Sequence, residues 1–145
     1  MGQMGQVRQV GRVRHGADWA LATIVLIHLA ISVLHGRAHS GAQVPLSPAA
    51  TLFVYVIILA GPLVGLAISR WRPTAGGWTV AASLAGALVF GLINHFLVAG
   101  PDHVDHVAAP WRPLFGATAA LLLASEAAGT AIGVWFAVRP VRRTS

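Results

Sequence analysis

Residues 78–99 read WTVAASLAGALVFGLINHFLVA and contain no Asp, Glu, Lys or Arg. A run of this length matches the roughly 20 residues that a helix needs to cross the hydrocarbon core of a bilayer. Three further runs are similarly apolar, at residues 18–34, 50–69 and 114–138. The apolar residues are continuous and do not alternate with polar ones, so the runs predict membrane-spanning helices and not the strands of a β-barrel.

The composition agrees with a membrane domain. The chain has 145 residues, of which 56% are hydrophobic and only 10% are charged. A soluble domain carries about a quarter charged residues. The connections between the runs are short, which favours an all-α integral membrane four-helix up-down bundle. We predict a flexible basic cytoplasmic tail at residues 1–16, a transmembrane domain at 17–139 and a basic cytoplasmic tail at 140–145.

All ten basic residues are arginines, and their distribution predicts the orientation of the bundle. Only Arg37 and Arg112 flank one end of the predicted spans. The other eight flank the opposite end: Arg8, Arg12, Arg14, Arg70, Arg72, Arg139, Arg142 and Arg143. Because cytoplasmic loops of membrane proteins are rich in basic residues, both termini are predicted to be cytoplasmic in a multi-pass protein of the bacterial inner membrane.

The predicted partners follow from the same charge distribution. The net charge of +6 indicates membrane topology and attraction to anionic lipid headgroups, and we expect no nucleic-acid partner. The lipid bilayer itself is the first predicted partner. Assembly into a homo-oligomer or into a larger membrane complex stays open.

Ionisable side chains gather at the predicted periplasmic side. Six of the seven histidines belong to this group: His28, His35, His39, His95, His103 and His106. Asp102 and Asp105 lie among them in the sequence, and Glu126 falls within the last span. Imidazole and carboxyl groups are costly inside a membrane, so they mark a candidate functional site.

Helical geometry divides these residues into two depths. The spacing of His28, His35 and His39 places all three on one stripe of the first helix. His28 and Glu126 are predicted to lie deeper than the rest and to meet in the bundle interior. Pro101 predicts the start of a short helix that carries His103 and His106 on one face.

A transition-metal site is the leading hypothesis. Neutral imidazole and carboxylate suit zinc, iron, manganese or copper(II), while the absence of cysteine excludes thiolate sites and covalent c-type haem. The candidate metal ligands are His28, His35, His39, His95, His103, His106 and Glu126. The candidate catalytic bases are Glu126, Asp102 and Asp105. A single intramembrane glutamate is too few for a di-iron carboxylate bundle, so a mononuclear three-histidine site is favoured. Both a metalloenzyme and a subunit of a redox or oxygenase complex stay open.

Two other functions are compatible with the same residues. His35 and His95 have similar predicted depths on different helices, so they are candidate axial ligands of a b-type haem in an electron-transfer subunit. A relay of ionisable groups at two depths is also typical of a small proton or metal-ion transporter. A purely structural membrane subunit is the remaining alternative.

Small residues and one proline predict how the helices pack. Gly61 and Gly65, and likewise Gly129 and Gly133, have the GxxxG spacing that lets membrane helices approach closely. Both pairs could serve packing within the bundle or dimerisation. Pro62 is expected to kink its helix, with a neighbouring group bonding the backbone carbonyl that the proline leaves free.

The segments HFLVAGPDHVDHV at 95–107 and HGRAH at 35–39 resemble small four-span bacterial inner-membrane proteins. The resemblance covers most of the chain from Asp18 onward. It implies a four-helix membrane fold and no particular activity.

Overall fold

The computed structural model describes residues 3–139, with side chains described from residue 18 onward. Four long helices make up most of this part of the chain: α1 (Gln3–Ala42), α2 (Pro48–Ser69), α3 (Pro73–Leu97) and α4 (Arg112–Val138). No strand occurs among these residues. The prediction of an all-α fold is therefore confirmed.

Each of the four helices is long and apolar enough to cross a membrane, and in α1 the candidate span is Asp18–Ala42. The prediction of a multi-pass membrane protein is consistent with these spans. Helix α1 begins at Gln3, before the residues whose side chains are described. The assignment of residues 1–16 to a cytoplasmic tail stays a prediction, and residues 140–145 lie outside the described part.

Helices α2 and α3 each contain a π-helical segment. In α2, Ser47 caps the helix start, and the segment Val54–Ala60 is π-helical before an α-helical continuation from Gly61. In α3, the π-helical segment is Ile93–Leu97 at the end of the helix. Such segments are rare and occur frequently at functional sites.

A histidine of α1 bonds the backbone of α2 in the turn before Pro62. Proline has no backbone N–H, so it leaves a carbonyl of the preceding turn without its usual donor. His28 on α1 donates from Nε2 to the carbonyl of Ile58, four residues before Pro62, at 3.1 Å. A neighbouring helix thus bonds the backbone at this place, as expected, and the neighbour is one of the candidate site residues.

Both glycine pairs face α3, against which α2 and α4 pack. A methyl group built on Gly61 or Gly65 would collide with side chains of α3, and one built on Gly129 would collide with Leu84. A methyl group on Gly133 would lie 2.9 Å from the backbone nitrogen of Ala81. The GxxxG spacings therefore serve packing within the chain, where the absence of a side chain lets backbones approach.

Two apolar clusters enclose the polar interior. The first includes Leu21, Val25 and Leu84, and the second consists of Ala38, Val107 and Phe115 with neighbours packed around them. The polar residues of α1, His28 and His35, lie between these clusters along the helix. The outward faces of the helices carry exposed large apolar side chains, as expected of helices surrounded by lipid.

The close contact at Gly133 predicts a position-dependent effect of alanine. Gly133→Ala should destabilise the protein by about 1–3 kcal/mol, because the backbone of α3 cannot move away as a flexible side chain would. Gly116→Ala on the same helix is the matched control, since a methyl group there has no neighbour within 4 Å. Alanine at 116 should be neutral or stabilising by about 0.5–1 kcal/mol. Thermal unfolding in detergent measures both, and equal effects would contradict the packing.

Candidate metal centre

Three imidazoles converge at one end of the helices. His35 and His39 lie one turn apart on α1, and His95 comes from the π-helical segment of α3. His35 and His95 are buried, and the side chain of His39 is 14% exposed. One ring nitrogen from each residue lies within 4.8 Å of the others. This group, hereafter the histidine triad, could hold a metal ion.

The π-helical turn and the following loop position His95. The amide of Val98 donates to the carbonyl of Ile93, five residues earlier, at 2.8 Å, which closes the last wide turn. The helix then ends, and the amide of Val104 donates to the carbonyl of His95 at 3.0 Å. The loop is therefore bonded directly to the backbone of a triad residue.

His35 is bonded through Nδ1 to Thr118. This nitrogen lies 2.9 Å from Thr118 Oγ1. The Thr118 hydroxyl has a single hydrogen, which it can donate to the carbonyl of Leu114 at 2.7 Å, to that of Phe115 at 3.1 Å or to His35 Nδ1. Where the hydroxyl bonds a carbonyl, His35 Nδ1 carries the hydrogen of the neutral ring and Nε2 carries a lone pair.

The backbone contact of His95 decides its neutral form. Its Nδ1 lies 3.0 Å from the backbone carbonyl oxygen of Asp102, which can only accept, so Nδ1 carries the hydrogen. Nε2 of the neutral ring then carries a lone pair, and it lies 3.2 Å from Nε2 of His35. A hydrogen on Nε2 of His35 bonds the two rings directly, whereas without that hydrogen both lone pairs are available to a cation between the rings. Two nitrogen ligands of a tetrahedral zinc ion are about 3.3 Å apart, given bond lengths of about 2.0–2.1 Å.

The carboxylate of Asp102 lies behind two of the rings. Its Oδ1 is 3.2 Å from Nε2 of His39 and 3.3 Å from Nδ1 of His95. The angles are poor for hydrogen bonds, so both contacts are electrostatic. A carboxylate behind a histidine is the usual way in which metal-binding imidazoles are oriented. Nδ1 of His39 is buried and has no hydrogen-bond partner in the described part of the chain.

Phe115 forms an apolar wall of the triad. Its side chain is fully buried, and its ring centroid lies 4.7, 4.9 and 5.2 Å from those of His35, His39 and His95. The aromatic ring limits how far each imidazole can rotate and excludes water from that side. A charge placed in the triad would therefore interact strongly with its ligands.

His28 and Glu126 lie close together, as predicted, but they lie outside the triad. Both are buried, and His28 Nδ1 is 3.8 Å from Glu126 Oε1. The other nitrogen of His28 donates to the Ile58 carbonyl. The structure thus separates the deeper residues from the three that converge near the helix ends.

The remaining candidates belong to the loop after α3. His103 and His106 each use a ring nitrogen to contact a backbone carbonyl earlier in the chain, at 3.3 and 2.7 Å. The amide of Asp105 donates to the other nitrogen of His103, and the Asp105 carboxylate is exposed. Residues 101–106 form turns instead of the expected short helix, since these side chain to backbone bonds compete with helix formation. These three residues stabilise the loop and are not brought into the triad.

Sequence reasoning missed two residues of the site, Phe115 and Thr118. They lie three residues apart on α4, so they share a face of that helix. A single threonine or phenylalanine in an apolar span carries no distinctive pattern. Only the packing of α4 against α1 brings Thr118 to His35, 83 residues away in the sequence.

No protein-family model matches this chain, and neither a curated protein nor a solved structure is detectably similar to it.

Removing the hydrogen-bond partner of His35 Nδ1 should destabilise the protein. Thr118→Val keeps the shape of the side chain but leaves this buried nitrogen without a partner, which costs about 1–3 kcal/mol. Thr118→Ser should restore most of the loss. Thr79→Val is the control, because its hydroxyl bonds only an exposed carbonyl of its own helix. Unfolding in detergent measures all three, and native stability of Thr118→Val would contradict the assigned bond.

Proposed function

We propose that this protein is an integral membrane metalloprotein that binds one transition-metal ion through His35, His39 and His95. The metal would lie near the periplasmic ends of the helices in the bacterial inner membrane. A coordination position left open for water or a substrate would make the site catalytic, alone or within a larger redox or oxygenase complex.

The proposed topology is an up-down bundle with both termini in the cytoplasm. Contacts of the start of α3 with the end of α4, as at Gly77 and Ala137, support antiparallel neighbours. Contacts of the end of α1 with the start of α4, as at Gly41 and Trp111, support the same arrangement. The eight-to-two distribution of arginines supports the orientation, with the triad at the end that has few arginines.

The facing Nε2 atoms of His35 and His95 are the observation that carries the proposal. Each ring is bonded through Nδ1 to a group outside the triad, and this leaves both Nε2 atoms turned toward each other at 3.2 Å. An interfacial histidine that merely contacts water would not need this arrangement. With the hydrogen of each neutral ring on Nδ1, a metal ion between the rings would be bound by both Nε2 lone pairs.

The ligand set restricts the metal and its chemistry. Three imidazoles without a thiolate suit Zn²⁺, Cu²⁺ or Fe²⁺. His39 needs a small movement to join, because the full group spans up to 4.8 Å and ligands of one metal lie about 3.3 Å apart. Three-histidine sites with an open fourth position activate water or polarise a bound oxygen. Asp102 contacts the far sides of the rings, so its role would be to orient them.

The geometry disfavours the haem alternative. Axial nitrogens of a haem iron lie on opposite faces of the macrocycle, about 4 Å apart, with the flat ring between them. Nε2 of His35 and Nε2 of His95 are only 3.2 Å apart. The rings of His39 and Phe115 pack against both of these imidazoles, where a macrocycle would have to extend.

Metal analysis of purified protein tests the proposal. We expect one transition-metal ion per chain and no haem absorption band. His35→Ala and His95→Ala should each lose most of the metal, and affinity should decrease on acidification, because imidazole binds metals only when neutral. His106→Ala is the control, since His106 bonds only the loop backbone. Full metal retention in both triad variants, or equal loss in the control, would refute the site.

Reporter fusions test the proposed topology. A reporter joined after Ser145 should be active on the cytoplasmic side, whereas one inserted after Ala42 should be active on the periplasmic side. If the insertion after Ala42 reported the cytoplasm, the metal site would open to the other compartment.

A further inference from the structure

A second group of ionisable side chains lies deeper in the helices than the histidine triad. His28 and Glu126 are 1% and 2% exposed, and each has an atom without a hydrogen-bond partner among the described residues. These atoms are Nδ1 of His28 and Oε2 of Glu126. No arginine forms an ion pair with Glu126 within residues 18–139.

Hydrogen bonding decides the form of His28. Its Nε2 donates to the Ile58 carbonyl at 3.1 Å, and a carbonyl oxygen can only accept. The Ser32 hydroxyl, 3.4 Å from the same nitrogen, donates its own hydrogen to the His28 carbonyl. Nε2 therefore carries the hydrogen, and in the neutral ring Nδ1 presents a lone pair toward Glu126 Oε1 at 3.8 Å.

A carboxylate facing this lone pair would be an uncompensated buried charge. Such a charge is very costly in a low-dielectric interior, and two acceptors facing each other add repulsion. One proton on Glu126 Oε1 removes both problems, because neither residue then carries a buried charge.

Glu126 and His95 line the same small space. A methyl group built on Gly91 of α3 would lie 3.9 Å from Glu126 Oε2 and 3.8 Å from His95 Cδ2, with Leu123 at 3.6 Å. The side chain of Leu123 is apolar, so it does little to screen electrostatic interactions across this space. A divalent cation in the triad would therefore favour the charged form of the Glu126 carboxyl group.

We propose that His28 and Glu126 hold one proton between them, and that this proton is released when a metal ion occupies the histidine triad. This inference depends on the proposed metal site. On release, the O–H bond of Glu126 breaks, its electron pair stays on the carboxylate, and the proton passes to bulk water. The carboxylate then balances one of the two positive charges of the metal.

The groups that face Glu126 are few. Helix α1 contributes His28, whose other nitrogen bonds the Ile58 carbonyl of α2. Helix α3 contributes His95 across the space at Gly91. Release of the proton would thus be coupled to the charge of the triad and not to an arginine within the described part of the chain.

Infrared spectroscopy of the intact, detergent-solubilised protein tests whether the proton is held. Metal-free protein at neutral pH should show the carbonyl stretch of a protonated carboxyl group. The band should be lost in Glu126→Gln and displaced in Glu126→Asp, which keeps the carboxyl group if the glutamine variant assembles poorly. Asp105→Asn, which alters an exposed carboxyl group in the loop, should leave the band unchanged. A spectrum without any band that depends on Glu126 would overturn the proposal.

Titration with Zn²⁺ in weak buffer tests the coupling. The native protein should release one more proton per bound Zn²⁺ than Glu126→Gln, and the infrared band should disappear as Zn²⁺ binds. Glu126→Gln should bind Zn²⁺ about tenfold more weakly, because the neutral amide cannot supply the balancing charge. Equal proton release and equal affinity in both proteins would refute the coupling while leaving the metal site intact. If the native protein kept its band but bound no Zn²⁺, the metal site and the coupling would both fail.

Discussion

A neutral imidazole inside a membrane has one N–H and one lone pair, and each needs a partner, because no bulk water is available. This constraint explains most of the polar architecture of the protein. Thr118 bonds Nδ1 of His35, the Asp102 carbonyl accepts the N–H of His95, and the Ile58 carbonyl accepts that of His28. Each of these bonds is directed away from the polar centre, so the second nitrogen of each ring is directed into it.

The partners exist because the helices approach closely and depart from regular α-geometry at two places. Glycines on α2 and α4 let both helices contact α3. This close approach sets the distance between side chains of neighbouring helices. On α2, the carbonyl that His28 bonds belongs to Ile58, which lies within a π-helical segment four residues before Pro62. The second π-helical segment, at the end of α3, contains His95. Irregular backbone in a membrane is tolerated where buried side chains bond it, and here those side chains are the histidines.

The two groups of ionisable residues differ in what holds them. The triad lies beneath a loop that is bonded to its backbone and that supplies Asp102. The pair of His28 and Glu126 lies deeper and lacks such a loop contact, and it is nearly fully buried. Glu126 nevertheless shares the space at Gly91 with His95, so the electrostatics of the two groups are linked.

The sequence by itself determined the class of fold and the approximate positions of the four helices, because a run of about 20 apolar residues has few other stable conformations. It also identified His35, His39 and His95 as candidates, because helical periodicity places residues of one helix on a common face. It predicted the proximity of His28 and Glu126, because residues at a similar depth on different helices can meet. Only the tertiary structure decided that His103 and His106 bond the loop backbone, and that Thr118 and Phe115 surround the triad. The direction of each ring nitrogen was decided in the same way. These features depend on contacts between distant segments and on hydrogen-bond directions, and neither leaves a periodic pattern in a single sequence.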